Sequence, residues 1–148
     1  GKLARIFISY SSADFKWATR VKVALRSMEL EGADIDVWDD KRIDAGDLWK
    51  KEIEKAIAAA NVAILLVSHD FLASEFIRSR EIPPLLAKAL ADGTKILPII
   101  IGKCRFKESV LKDYQSINPL SKPLEALITP EVNDVLYRLT KEIDKVLV

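Results

Sequence analysis

Val62-Ala63-Ile64-Leu65-Leu66-Val67 is apolar at every position, and that lack of alternation decides the fold. A strand with one wet face alternates polar and apolar residues. A short unbroken apolar run is instead what a central strand needs when both of its faces are covered. Ile96 to Ile101 repeats the pattern after a helix stop at Asp92-Gly93. Arg5-Ile6-Phe7-Ile8-Ser9-Tyr10 is β-branched and aromatic and runs into Ser11-Ser12, a turn and helix cap, so it reads as a first strand handing over to a helix. Ile35 to Trp38 is a short second strand.

Between the strands, apolar residues return at helical spacing. Phe15, Ala18, Val21, Ala24, Leu25 and Met28 predict a helix from Ala13 to about Leu30, ended by Gly32. Asp47 caps a second helix whose apolar face is Trp49, Ile53, Ala56, Ile57 and Ala60. Ser68 to Ala91 reads as mostly helical, interrupted at Pro83 and Pro84, and Glu131 to Leu147 as a closing amphipathic helix. Tyr114 to Ile117 is the remaining strand, at a sheet edge, and Ser121 to Pro130 reads as loop. Strands and helices that alternate in this way predict an α/β, flavodoxin-like fold of three αβα layers: a parallel five-stranded sheet of order 2-1-3-4-5 with helices on both faces.

Ligands of such sheets bind beyond the carboxyl ends of the strands, where strand order reverses. The segments emerging there are Tyr10 to Asp14, Trp38 to Gly46, Ser68 to Glu81 and the chain from Gly102 onward. Glu81 stands out among them because it lies just ahead of Ile82-Pro83-Pro84. Proline is tolerated in the first turn of a helix and pushes the residue before it away from helical geometry, so Glu81 is expected at a break or helix start. The positive end of the helix dipole, with Arg78 and Arg80, would favour an ionised carboxylate there.

Composition narrows the function. A chain of 148 residues suits one domain over residues 1–148, and a domain excised from a longer protein would read the same way. A net charge of +1 gives no basic field, and Lys103, Arg105 and Lys107 read as a short exposed rim, so no direct nucleic-acid partner is expected. The apolar runs fall far short of the roughly 20 residues of a membrane span, so no membrane partner is expected either. The sole cysteine, Cys104, cannot close an intramolecular disulfide, which fits a cytoplasmic setting. One His, one Cys and no carboxylate cluster at ligand spacing predict no metal and no resident cofactor.

Taken in order, these blocks resemble a Toll/interleukin-1 receptor (TIR) domain of bacterial type. Arg5 to Asp14 is similar to the first box of that family, and Trp38 to Trp49 to the second, the loop between second strand and second helix. Val62 to Ser68, Phe71-Leu72-Ala73-Ser74 and the later Glu81-Ile82 complete the pattern. The resemblance implies cleavage of NAD, as substrate, at the bond between nicotinamide and ribose, with Glu81 in the position of the essential glutamate. Nicotinamide leaves from an already cationic ring, so the reaction needs little acid catalysis, and a fixed carboxylate can oppose charge developing on the ribose.

The resemblance also implies substrate contacts at Tyr10, Ser11, Asp44, Ala45, Gly46, Trp49 and Ile77. Ala45 replaces a proline common in that loop, and Ile77 stands where some NAD-cleaving members have a stacking ring, which leaves Tyr10 or Trp49 for that task. One reading is therefore an NAD glycohydrolase giving nicotinamide and linear or cyclic ADP-ribose, in bacterial immune signalling or as an effector. The alternative is a non-catalytic assembly module that self-associates with other TIR domains through Asp39 to Gly46. A phosphoacceptor receiver shares the layout but needs carboxylates after the first strand and at the end of the third, where this chain has Ser9-Tyr10-Ser11-Ser12 and Val67-Ser68.

Overall fold

A parallel sheet of order β2-β1-β3-β4 organises the computed structural model, which describes residues 2–38 and 47–148, apart from the side chains of Asp47 and Leu48. Its strands are β1 (Ala4–Ser9), β2 (Ile35–Trp38), β3 (Val62–Val67) and β4 (Lys95–Ile100). The unbroken apolar run is β3, paired with β1 on one side and β4 on the other, and every residue of it is buried. The pleat divides its side chains between two cores. Val62, Ile64 and Leu66 join Ile6, Ile8, Leu97 and Ile99 in an upper core, and Ala63, Leu65 and Val67 join Phe7, Ile96 and Ile100 in a lower one.

Helices α1 (Phe15–Leu30) and α5 (Thr129–Leu147) close the upper core with Ala18, Val21 and Leu25 and with Val135, Leu136, Leu139 and Ile143. Helices α2 (Asp47–Ala59), α3 (His69–Ala73) and α4 (Ile82–Asp92) close the lower core with Ile53, Ile57, Phe71 and Leu85. The expected three-layer αβα fold is thus the observed one, and α4 stops at Gly93 in the left-handed region (φ 78°), a conformation that glycine alone adopts without strain. Among the described residues no helix is long and apolar enough to cross a membrane.

Two local expectations need correction. The segment read as continuous helix with a break at the prolines instead breaks at Ser74, whose backbone is extended, and Pro83 and Pro84 lie in the first turn of α4. The fifth strand is absent among the described residues: Tyr114 to Ile117 is irregular chain with a bend at each end, giving four strands rather than five. The Ile117 N–H still donates to the Pro98 carbonyl (2.8 Å), but Pro98 has no N–H to return. Two residues further along β4, the Asn118 side chain accepts from the Ile100 N–H and donates to the Ile100 carbonyl, both at 2.9 Å. A side-chain amide thus completes the edge where a backbone ladder was expected.

Candidate functional site

Glu81 ends a π-helical turn, Ile77–Glu81, that leads directly into α4. Pro83 and Pro84 remove donors that would close ordinary helical bonds, and the turn before them widens: the Ile82 N–H bonds to the carbonyl of Ile77, five residues back. Wider turns swing the side chain of Glu81 relative to Phe76 and Ile77. Glu81 is 2% exposed, on the sheet side of the helix. It does not cap α4. Instead its Oε1 accepts a hydrogen bond from the Ser9 hydroxyl at 2.6 Å, across 72 residues of chain.

Ser9 is the last residue of β1 and is fully buried. It pairs in register with Leu65 of β3, while β1 on its other side pairs with β2. Strand order therefore reverses between β1 and β3, and the carboxylate of Glu81 is fixed at the carboxyl end of that reversal, where an open α/β sheet builds its ligand site.

A second buried carboxylate follows the end of β1. Asp14, 8% exposed, begins α1, and its Oδ2 accepts from the Ser68 hydroxyl just past β3. That hydroxyl also accepts from the Phe71 N–H at 3.1 Å, which caps α3. Burial pushes the Asp14 carboxyl above its ordinary value, the Ser68 hydrogen bond opposes this, and the charges of Asp70 and Glu125 reinforce it.

The structure separates the other expected site residues. Trp49 is half-buried at the start of α2 and stacks on Phe76, with ring centroids 4.9 Å apart and planes inclined by 27°. Ile77 packs inside the lower core at 1% exposure. Tyr10 belongs to the upper core, on the opposite side of the sheet from Glu81, with the Lys22 ammonium 5.7 Å from its ring centroid. Ser11 caps the short turn after β1, its hydroxyl accepting from the Ala13 N–H at 3.3 Å. Asp44, Ala45 and Gly46 lie outside the described residues. Arg78, Arg80 and His69 face solvent. Among the described residues no group of three or more His, Cys, Asp or Glu is arranged to hold a metal ion.

Sequence reading missed Ser9 and set Phe76 aside, because neighbours on a helix point in different directions. A polar residue at an inward position of an apolar strand was the available signal for the first, and for the second a ring adjacent to the core-facing Ile77.

The TIR domain family model matches residues 6–127, from β1 to the loop before α5. The chain belongs to the TIR family. Among curated proteins this TIR chain is similar to the uncharacterized protein y4lF of Sinorhizobium fredii, 25% identical over 138 residues. That match covers 93% of the chain but 42% of y4lF, so the chain spans less than half the length of that relative. Among solved structures it is similar to the TIR domain of the Toll-related receptor TRR-2 from Hydra magnipapillata, with a TM-score of 0.58, 22% identity and coverage of 95% of this chain and 98% of that one. The likeness to the Hydra domain shows the same fold.

Proposed function

We propose that this TIR domain is an NAD glycohydrolase that breaks the bond between nicotinamide and ribose, with Glu81 opposing the positive charge that develops on the ribose ring. The observation that carries the reading is the position of Glu81. Ordinary helix glutamates face water, whereas this one is 2% exposed and hydrogen-bonded at the reversal point of a parallel sheet. A carboxylate held away from water interacts more strongly with a cation forming beside it than one in bulk solvent does.

Bond cleavage takes the electron pair of the glycosidic bond onto the nicotinamide nitrogen, which neutralises the ring as it leaves. Water, or the adenine of the same molecule, then supplies the electron pair to the anomeric carbon. The first route gives linear ADP-ribose and a proton, and the second a cyclic product. The Trp49–Phe76 stack offers an aromatic surface on the same side of the sheet as Glu81, and in this reading it takes the ring-binding task that Ile77 cannot perform.

Incubation with NAD and chromatographic separation of the products is the direct test. Wild type is expected to release nicotinamide, and Glu81→Ala to release none; full retained activity in Glu81→Ala would remove the glutamate from the mechanism. Self-association with other TIR domains belongs to the same reading and predicts a specific activity that rises with protein concentration. The bacterial source of the curated relative supports a role in bacterial immune signalling or as an effector.

A further inference from the structure

Ser9 is a polar residue where the sheet calls for an apolar one. It shares its face of β1 with Phe7, lies in register with Leu65, and has no exposed surface. Alanine would fill the position without removing a hydroxyl from water, a cost recovered only if the hydroxyl forms a hydrogen bond. Its bond to Glu81 Oε1, at 2.6 Å, has the length of a hydroxyl donating to a carboxylate.

The other buried serine shows what a structural explanation would look like. Ser68 donates to Asp14 and at the same time caps α3 through the Phe71 N–H. Among the described residues Ser9 caps nothing: the turn after β1 is capped by Ser11, and the hydroxyl of Ser9 bonds to Glu81 alone.

We infer that Ser9 is a positioning residue that sets the orientation of the Glu81 carboxylate toward the reacting ribose. The inference rests on the NAD-cleaving reading of Glu81. A glutamate side chain has three torsions, and the last is broad, so each hydrogen bond to the carboxylate narrows the orientations it samples. Tying Oε1 to a hydroxyl on the sheet narrows them before substrate arrives. Charge stabilisation depends steeply on position, and misplacement by about 1 Å costs on the order of 100-fold in rate. The remaining contacts to a dinucleotide do not pass through Ser9, so the loss should appear in kcat rather than KM.

The test compares wild type, Ser9→Ala, Ser9→Thr and Ser68→Ala by steady-state nicotinamide release and thermal unfolding. Ser9→Ala is expected to lose about 10- to 100-fold in kcat, with KM within about threefold and a melting temperature lowered no more than in Ser68→Ala. Ser9→Thr keeps the hydroxyl and should recover most of that loss. Ser68→Ala removes a hydroxyl from the other carboxylate and should lower the melting temperature while leaving kcat within about twofold.

A Ser9→Ala enzyme within about twofold of wild-type kcat overturns the role of Ser9 and leaves the proposed activity standing. An equal kcat loss in Ser68→Ala overturns it too, because the effect would then be general loosening. Wild type that releases no nicotinamide overturns the activity, and the role of Ser9 in it. If the threonine methyl does not fit and Ser9→Thr unfolds early, the ¹³C carboxyl resonance of Glu81 decides: it should move in Ser9→Ala and stay in place in Ser68→Ala, and a resonance unmoved by Ser9→Ala overturns the positioning role.

Discussion

Two carboxylates are buried near the carboxyl end of the same sheet, each held by a serine from a distant part of the chain, and the two serines differ in what else they bond. Asp14 meets a hydroxyl that is already committed to capping α3, so the pair ties the start of α1 to the end of β3 and the start of α3. Glu81 meets a hydroxyl with no second partner among the described residues, at the point where strand order reverses. Burial and a serine partner are therefore not enough to mark a reactive group. The reactive role proposed for Glu81 rests on its place in the topology and on a partner that, among the described residues, caps no helix.

The comparison can be broken or sharpened by substitution. The largest effect is expected from Glu81→Gln, which preserves shape and can still accept from Ser9. Nicotinamide release should fall by about 1,000-fold while urea unfolding shifts by less than about 1 kcal/mol. A large loss of stability with little loss of turnover would place Glu81 in the same class as Asp14.

Asn118→Ala serves as a purely structural reference. It removes the bonds to both backbone groups of Ile100 and to the Lys122 carbonyl. The expected cost is about 2–4 kcal/mol of unfolding free energy, with turnover per folded molecule unchanged. Ser68→Ala should cost about 1–2 kcal/mol, from a lost cap and a buried carboxylate left short of a donor. A change below the error of the denaturation curve would contradict the structural account of that pair.

The smallest effect is the pH dependence carried by Asp14. Its folded-state pKa is raised above the ordinary 3.8, chiefly by burial. Below the ordinary value the group is protonated in both states, and the fold bears no cost. As pH rises through the folded-state value, ionisation favours the unfolded chain, and the cost is complete above it. Between about pH 4 and 7, wild type should therefore lose stability relative to Asp14→Asn. Parallel stability curves for the two proteins across that interval would contradict a raised Asp14 pKa.

Much of this was legible in the sequence because the signals were long or chemically unusual. The apolar runs at Val62–Val67 and Ile96–Ile101 can be buried on both sides only in a covered parallel sheet, and the observed β3 and β4 follow them closely. Glu81 was legible because two prolines mark the change in helical winding beside it. The missing fifth strand was not legible, since it depends on a side-chain amide reaching across 18 residues to Ile100. Ser9 was hidden for a similar reason: a serine at a strand end reads as a turn residue until the chain brings Glu81 over it. Ile77 matched a family position, but its surroundings, which are core, are set by packing that no local pattern reveals.

The β4 edge also limits how copies of this domain can join. An open strand edge is a template on which another sheet can grow, and proteins that must not polymerise in that way blunt it. Here Pro98 offers no donor, its carbonyl is taken by Ile117, and both backbone groups of Ile100 are occupied by Asn118. Copies meeting at this side would find too few consecutive vacant partners to extend the sheet. On this side of the sheet, assembly is left to helices and loops, whose contacts can be reversed without unpicking a continuous β-structure.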